Sequence, residues 1–263
     1  MLAAQDVSSF QQQGFLGSVP ILTETEAAEC LRHFQAIEAA SGKQLVRLDW
    51  PHMCFRWAYE LATHEDLLDA VEALIGPDLI IWGSLIANKP PQSEFHFGWH
   101  QDSAFCTFLE GTPAVTAWIA LTPSTSANGC LKVLPGSQNR ELEHSARETG
   151  SNILRQQQTV DLQVDPGQTQ DIALKPGEMS VQHMSLLHGS GANSGTTPRV
   201  GFIVRFATPQ MPSAPYPLVL ARGACRNTGL TLSGPPSSND PAEGLQAHAD
   251  LHASLAARNR APR

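Results

Sequence analysis

The sequence lacks the features that mark membrane-spanning, secreted or nucleic-acid-binding proteins. Charged residues make up only 16% of 263 positions, no run of lysine and arginine occurs, and the net charge is −8. Nucleic acid and an anionic lipid surface are therefore unfavourable partners. No apolar stretch approaches the length of a bilayer-crossing helix. Residues 1–10 also lack the basic and apolar regions of a secretion signal.

Cysteine is scarce and unpaired in the sequence. The five cysteines are odd in number, lie far apart and form no CxxC pair. This usage predicts reduced thiols in a cytoplasmic protein and argues against a disulfide framework or a zinc site. Apolar residues are 41% of the chain, which is typical of a globular protein with a substantial core.

Turn-forming residues divide the middle of the chain into short apolar runs. Pairs such as Pro135-Gly136 and Pro176-Gly177 separate these runs, and this pattern predicts a β-sandwich or barrel. The predicted strands are Leu79–Ala87, Val115–Leu121, Leu131–Leu134, Thr159–Val164, Asp171–Leu174, Met179–Val181 and Arg199–Ala207.

Helical patterns flank the predicted strands. Thr23 and Glu26 have the capping-box spacing ahead of an apolar stripe, and Glu65–Ile75 repeats apolar residues at helical intervals. Asp240-Pro241 is typical of the start of a last helix. We expect residues 1–263 to form one domain. Its helical part is expected at about 1–77 and its β core at about 78–208. The last part, about 209–263, is expected to hold an irregular loop (209–239) followed by a helix.

A histidine and an aspartate two residues apart form the most informative segment. In an extended chain, His100 and Asp102 project to the same side. Two imidazoles and one carboxylate, with the other positions open, form the facial arrangement of non-haem Fe(II) oxygenases. A lone HxD pair is common by chance, so the second segment carries the weight. There His188 is followed eleven residues later by Arg199, whose guanidinium suits a carboxylate such as the distal one of 2-oxoglutarate.

Several motifs in consistent order resemble the phytanoyl-CoA dioxygenase (PhyH-like) family of Fe(II)/2-oxoglutarate oxygenases. The motifs are GFL at 14–16, WHQD at 99–102, NGCL at 128–131, VLPGS at 133–137, and HxSxxN at 188–193 with Arg199. Together they span roughly residues 5–207. The resemblance implies a mainly β fold with flanking helices and a double-stranded β-helix (jelly-roll, cupin-like) core.

The same resemblance implies an active site and a reaction. Iron is expected on His100, Asp102 and His188, which are then the catalytic residues. 2-Oxoglutarate is expected to chelate the metal, with its far carboxylate on Arg199 and a hydrogen bond to Ser190. The cofactor set is completed by O2 and, as support, ascorbate. The reaction would release succinate and CO2 and hydroxylate an unactivated C–H bond. We expect a small polar metabolite in a biosynthetic pathway, with no nucleic-acid or membrane partner, and the sequence carries no signal for an oligomeric state.

Further residues are candidate co-substrate contacts, and each has a structural alternative. Asn88 precedes the metal segment, where relatives place a polar contact to 2-oxoglutarate. Thr116 and Trp118 share a face of one strand, although Trp118 equally suits the core. Arg205 shares a face with Arg199, and it either meets an anion or pairs with a neighbouring carboxylate.

Two basic residues near these candidates have open assignments. His183 competes with His188 as a ligand, but the spacing to Arg199 favours His188 and leaves His183 to line the pocket or the core. Lys89 either binds an acidic substrate or is solvated.

Asp102 also separates the possible classes of function. Related halogenases have alanine or glycine at this position, so that chloride takes the free metal site, and Asp102 therefore disfavours halogenation. A zinc hydrolase would need no arginine at the co-substrate position. The non-enzyme alternative is a jelly-roll protein that binds metal and 2-oxoglutarate without turnover. The complete ligand set and Arg199 favour the oxygenase.

Overall fold

The described part of the chain forms two main antiparallel sheets, with helices on one side, and a separate two-stranded sheet of His144–Ala146 and Gln158–Val160. The structure, a computed structural model, describes residues 2–146, 150–154, 158–160 and 162–258. The helices are α1 (Ala4–Gln13), α2 (Glu24–Ser41), α3 (Pro51–Cys54), α4 (Arg56–Ala62), α5 (Glu65–Ile75) and α6 (Pro241–Arg258). The strands are β1 (Phe15–Pro20), β2 (Arg47–Asp49), β3 (Leu79–Lys89), β4 (Phe97–His100), β5 (Ala114–Ala120), β6 (Leu131–Val133), β7 (His144–Ala146), β8 (Gln158–Val160), β9 (Gln170–Ile172), β10 (Glu178–His183), β11 (His188–Ser190), β12 (Arg199–Ala207) and β13 (Val219–Arg222).

The two main sheets pack together through their inner faces. The larger sheet has the order β1-β10-β5-β12-β3-β13, with β2 also paired to β3, and the smaller has the order β4-β11-β6-β9. Leu85 and Trp118 of the larger sheet share one apolar cluster with Leu131 and Ile172 of the smaller. Burial of both inner faces makes this the core that holds the site. The expected mainly β fold with flanking helices is confirmed.

The helices cover the outer face of the larger sheet. Phe34 of α2 and Leu67 of α5 belong to the same buried cluster as Ile119 and Val204 on that face. The predicted capping box begins α2, since the Glu26 amide donates to Thr23 Oγ1 at 3.2 Å and the Thr23 amide donates to Glu26 Oε2 at 2.8 Å. Helix α5 has the predicted bounds. Among the described helices, none combines the length and apolar character that a bilayer crossing needs.

Strand alternation decides which residues reach the space between the sheets. Strands β12 and β3 pair with Arg199 opposite Lys89, and with Arg205 opposite Gly83. Alternate residues of β12 from Arg199 to Arg205 therefore share one face. The register shifts next to Arg205, and a bulge of this kind turns a neighbouring side chain to the other face. Trp82 thereby lines the same cavity as Leu85.

Several segments differ from the sequence prediction, and among them β4, β7 and β11 lie outside the predicted strands. The first part of the chain holds β1 and β2 in addition to helices, and the segment 209–239 holds β13. These short strands are stabilised by pairing with a neighbour, such as Leu16 opposite Val181, and not by their own alternation. Strand β8 ends at Val160, and residues 162–164 lie outside any strand. Residue 161 of the predicted strand lies outside the described residues.

Candidate active site

Strand pairing brings the two halves of the metal motif together. In the ladder between β4 and β11, His188 lies directly opposite His100, and the ring centroids are 4.2 Å apart. Asp102 begins a short 3-10 turn just after β4. One potential ligand atom from each of His100, Asp102 and His188 lies within 4.8 Å of the other two, and all three residues are buried. The three predicted ligands thus meet at one point.

Backbone hydrogen bonds orient both imidazoles toward that point. The His100 Nδ1–H donates to the Gly98 carbonyl at 2.7 Å, and the His188 Nδ1–H donates to the Leu186 carbonyl at 2.9 Å. Because a carbonyl only accepts, each ring keeps its Nε2 lone pair for a metal. Burial and the neighbouring His100 lower the pKa of His188 to about 4, so this imidazole is neutral at pH 7.

The Asp102 carboxylate is held ionised in a buried place. Burial raises its pKa, but Arg205, His100 and His188 lower it more, so the pKa lies well below its usual range. Thr116 Oγ1 donates to Asp102 Oδ2 at 2.7 Å. The other oxygen, Oδ1, lies 3.7 Å from His100 Nε2. One carboxylate oxygen is therefore fixed by Thr116, while the other faces the histidine.

Gln101 anchors the turn between the two ligands of the first motif. Its side-chain amide nitrogen donates to the Arg140 carbonyl at 2.8 Å, and its amide oxygen accepts from the Leu142 amide at 3.0 Å. The side chain is 1% exposed. Since Gln101 is tied away from the cavity, its neighbours His100 and Asp102 face into it.

Arg199 is a buried cation with unused donors. It is 1% exposed, and its Nε and Nη1 atoms have no hydrogen-bond partner among the described residues. Burial lowers the pKa of Arg199 to about 10, which leaves it charged at pH 7. Its guanidinium stacks on the Trp118 ring at 4.5 Å. Unpaired buried donors are costly, so an anion is the natural partner for this group.

Ser190 and Lys89 lie next to Arg199. Lys89 Nζ donates to Ser190 Oγ at 2.6 Å and to the carbonyls of Gly191 and Gly129 at 2.6 and 3.1 Å. Burial and the nearby Arg199 lower the pKa of Lys89 to about 6. Lys89 is 0% exposed, so the solvated alternative is wrong. Because Ser190 accepts from Lys89, its own hydroxyl hydrogen is free to donate into the cavity.

Arg205 lies on the same strand face as Arg199, beside the aspartate ligand. Its Nη2 is 3.8 Å from Asp102 Oδ1, and its guanidinium lies 5.5 Å from the Trp82 ring. Thr116 is directly opposite Arg205 in the β5–β12 ladder. Both sequence alternatives for Arg205 therefore apply in part, since it neighbours a carboxylate and also faces the open cavity.

Two sequence candidates lie away from the site. Asn88 donates to Glu38 Oε1 of α2 at 3.3 Å and is not among the residues that line the cavity. Asn88 faces α2 and Lys89 takes the inner side of β3, because adjacent strand residues face opposite ways. His183 accepts from the Ser185 amide and contacts Phe10, so it is not grouped with the three ligands.

The ligands and arginines open into one cavity of about 860 Å³. The sequence analysis did not identify several residues of its wall, namely Arg47, Trp50, Trp82, Tyr216, His252 and Leu255. The inward turn of Trp82 depends on the bulge next to Arg205. One signal was available for the packing under Arg199. Gly201 interrupts an apolar strand, which marks a close approach, and a Cβ there would overlap the Trp118 ring.

These residues fit a metal and a dicarboxylate co-substrate. Two imidazole nitrogens and one carboxylate oxygen suit Fe(II), with positions left open toward the cavity. Unpaired donors of Arg199 and the Ser190 hydroxyl suit the far carboxylate of 2-oxoglutarate. Four protein ligands, as in a structural zinc site, are not present in the described cluster.

Comparison with known proteins agrees with this geometry. The sequence profile of the family described as phytanoyl-CoA dioxygenase (PhyH) matches residues 10–201. The probable alpha-ketoglutarate-dependent hypophosphite dioxygenase of Stutzerimonas stutzeri is 27% identical over 194 residues, which are 73% of this chain and 66% of that protein. Peroxisomal phytanoyl-CoA dioxygenase of Bos taurus is 28% identical over 155 residues, 57% of this chain and 45% of that protein. The chain thus spans about half to two thirds of these curated relatives.

A solved structure has the same fold over almost the whole chain. The apo form of the non-heme monooxygenase ThoJ superposes with a TM-score of 0.80 at 25% sequence identity. The superposition covers 96% of both chains. The similarity of fold therefore extends beyond the β core of this chain.

Proposed function

The chain belongs to the phytanoyl-CoA dioxygenase family of 2-oxoglutarate-dependent non-haem iron dioxygenases, and on that premise we propose that it hydroxylates an unactivated C–H bond of a small polar metabolite. The observation that carries this proposal is the convergence of His100, Asp102 and His188 at one end of a cavity that also contains Arg199. The whole chain is proposed to act as one oxygenase domain. We place it in the cytoplasm, since its five cysteines are all unpaired.

Each residue of the site has a role in this proposal. The Nε2 atoms of His100 and His188 and one oxygen of Asp102 hold Fe(II). Arg199 and Ser190 hold the far carboxylate of 2-oxoglutarate, and Trp118 fixes the Arg199 plane by stacking. Thr116 donates to the Asp102 oxygen that is not needed for the metal. Iron with 2-oxoglutarate and O2 supplies the oxidising chemistry, with release of succinate and CO2. Ascorbate supports it by keeping iron reduced.

Succinate formation tests the activity directly. Purified protein with Fe(II), ascorbate and 2-oxoglutarate should form succinate slowly without substrate, and Asp102→Ala should reduce this to the rate of free iron. Arg32→Gln, an exposed arginine on α2, serves as a matched control and should keep the wild-type rate. Intact turnover in Asp102→Ala would contradict the ligand assignment. Binding of 2-oxoglutarate without any succinate would favour the non-catalytic alternative.

Loss of the Arg199 charge tests the co-substrate assignment. Arg199→Gln should raise the Kd for 2-oxoglutarate at least about 30-fold, because losing one partner of a buried charge pair costs about 2 kcal/mol or more. Anaerobic calorimetric titration measures this without turnover. The affinity for Fe(II) should stay within a few-fold of wild type, since Arg199 is not a ligand. An unchanged Kd for 2-oxoglutarate would place the co-substrate elsewhere.

A further inference from the structure

The cavity is larger than iron and 2-oxoglutarate require. Its volume of about 860 Å³ lies toward the upper end of ordinary ligand pockets, which hold roughly 300–1,000 Å³. Arg199 and Arg205 lie six residues apart on β12. The rise per residue of a strand places their Cα atoms roughly 20 Å apart. In the proposed function 2-oxoglutarate takes the Arg199 end. The Arg205 end is left for the substrate.

The wall at the Arg205 end is rich in aromatic rings. Trp50, Trp82, Phe105 and Tyr216, here called the aromatic box, all line the cavity. The Trp50 and Tyr216 rings are 5.9 Å apart. Aromatic residues are only 6% of the chain, yet the cavity as a whole is lined by three of its five tryptophans and one of its two tyrosines. Flat ligands gain most from such a wall, because rings stack on rings.

Helix α6 forms the part of the cavity wall next to the aromatic box. His252 and Leu255 of α6 line the cavity, and the His252 ring lies 5.4 Å from the Trp50 ring. The beginning of α6 is fixed to the helical layer, since Gly244 packs so tightly on Phe55 that a Cβ there would overlap the ring. Helix α6 lies outside residues 10–201, which match the family profile. The box is therefore completed by a part of the chain outside that match.

Arg205 is the cation at this end that lacks a tight partner. Its closest carboxylate oxygen, on Asp102, is 3.8 Å away, which is too long for a hydrogen bond. Its side chain is 21% exposed and lines the cavity, and the described residues offer it no hydrogen bond. Arg47, also in the wall, is different, because Asp49 pairs with its Nη2 at 2.7 Å. Arg205 therefore has donors available for an incoming anion.

Charge balance favours an acidic ligand for Arg205. In the proposed site the two charges of Fe(II) and the one of Arg199 balance the two carboxylates of 2-oxoglutarate and the one of Asp102, while Lys89, whose pKa is about 6, is neutral at pH 7. Arg205 then remains as a positive charge in the wall of the cavity, with a side chain that is only 21% exposed. A single uncompensated charge in such a place favours a ligand of opposite sign.

We propose that the substrate is an organic acid with a flat apolar group, whose acid binds Arg205 and whose flat group binds the aromatic box. This rests on the proposed function and narrows its substrate class. The polar part of the metabolite is its acid, and the remainder is apolar. Arg205 and Trp82 are binding residues in this proposal, each for one part of the ligand.

Three simple probes separate the acid from the ring. Phenylpropanoate carries both parts, phenylpropanamide has the ring without the charge, and butanoate has the charge without the ring. Each is titrated calorimetrically into protein with Fe(II) and saturating 2-oxoglutarate, without O2. Wild-type protein should bind phenylpropanoate about tenfold or more tightly than either other probe, since a charged hydrogen bond and a stacked ring each contribute on that order. Equal affinity for the acid and the amide would overturn the proposal.

Two variants assign the preference to residues. Arg205→Gln should abolish the preference for acid over amide, and Trp82→Leu should abolish the preference for phenylpropanoate over butanoate. Arg32→Gln should leave both preferences intact. Persistence of the acid preference in Arg205→Gln would overturn the proposal, as would displacement of phenylpropanoate by 2-oxoglutarate, which would place the acid on Arg199. The comparison of probes in wild-type protein stands even if a variant fails to fold.

The same preparations separate this proposal from the proposed function. Succinate formed without substrate supports the oxygenase whatever the probes do. If succinate forms and the probes show no preference, the substrate class is wrong and the activity stands. If no succinate forms, the oxygenase fails, and binding of the probes still tests the wall of the cavity.

Discussion

At the scale of single residues, Lys89 has a role that its position beside Arg199 explains. A charged Lys89 would repel Arg199 on the neighbouring strand, and burial adds to the cost of that charge, so Lys89 is neutral at pH 7. The three hydrogen-bond partners of the Lys89 amino group offset the cost of burying it, and two of them are backbone carbonyls, of Gly129 before β6 and of Gly191 after β11. Lys89 therefore holds the Ser190 hydroxyl in place and joins β3 to the opposite sheet.

Replacing Lys89 tests this structural role. Lys89→Met should lower the free energy of unfolding by about 1–3 kcal/mol, because the buried Gly129 carbonyl loses its donor. Urea denaturation followed by circular dichroism measures the change. Lys43→Met, at an exposed lysine, is the matched control and should change stability little. A loss in Lys89→Met no larger than in the control would show that water replaces the Lys89 amino group.

The pair Asn88 and Lys89 also shows where residue-level prediction ends. The convergence of His100, Asp102 and His188 could be predicted because their spacing and motif context constrain them strongly. Asn88 and Lys89 are both polar and adjacent, so composition does not say which one faces inward. Only the register of β3 against β12 decides it, and register depends on pairing partners distant in sequence.

At the scale of elements, β12 organises both ends of the cavity. Its inward residues are Arg199, Gly201, Ile203 and Arg205, and Gly201 provides the space in which the Trp118 ring lies. The ring in turn supports the Arg199 guanidinium at 4.5 Å. Packing against the Trp118 ring therefore explains why a glycine interrupts the apolar run of β12.

A methyl group at Gly201 should disturb that support. Gly201→Ala should cost about 1–3 kcal/mol of stability through overpacking, and it should weaken 2-oxoglutarate binding, because Trp118 must move from under Arg199. Gly17→Ala is the matched control, since Gly17 on β1 has open space where a Cβ would lie. Anaerobic titration with 2-oxoglutarate and thermal unfolding provide the two measurements. Wild-type affinity in Gly201→Ala would mean that the stack does not position Arg199.

The helices and strands were predicted correctly where a local sequence pattern defines them. They were missed where pairing with a distant strand defines them. The capping box of α2 and the apolar repeat of α5 are local signals, and both helices begin where predicted. Strand β12 also has its predicted bounds. Strand β13 follows a Pro-rich stretch with no clear alternation and is defined by its ladder with β3. The inward turn of Trp82 depends on a register shift that no periodicity reveals.

At the scale of the whole molecule, a buried histidine links stability to pH. His52 is 1% exposed, its Nδ1 is 2.6 Å from Ser84 Oγ, and burial lowers its pKa to about 3. The unfolded chain binds this proton near pH 6.5. Between these two values the unfolded state holds more protons than the folded state, so stability falls as pH falls.

The contribution of His52 should appear as a slope. Stability should decrease by up to about 1.4 kcal/mol per pH unit from this group as pH drops from 6.5 toward 3. His52→Asn keeps a polar atom near the Nδ1 position and does not titrate there, so its curve should be flatter by that amount. Urea unfolding at several pH values, each referred to pH of about 8, measures the difference. Parallel curves for both proteins would show that His52 does not charge on unfolding.

The fold class of the whole molecule could be predicted, while the shape of its cavity could not. Short apolar runs between turns indicate a β-sandwich or barrel, and the motif order identifies the family. The final helix was also predicted, with Asp240 accepting from the Ala242 and Glu243 amides at its start. The packing of this helix against the cavity depends on tertiary contacts such as that of Gly244 with Phe55. The sequence shows only a glycine at position 244, which does not identify the residue that it contacts.

The position of α6 has a consequence for how such an enzyme could diversify. In the proposed function the metal ligands come from β4, the turn after it and β11, whereas the wall over the open end of the cavity comes from α6, which follows the strands in the chain. Substitutions in α6 can therefore alter which molecule is admitted while leaving the oxidation step untouched. Exchange of this segment between homologues is a direct way to retarget the catalyst.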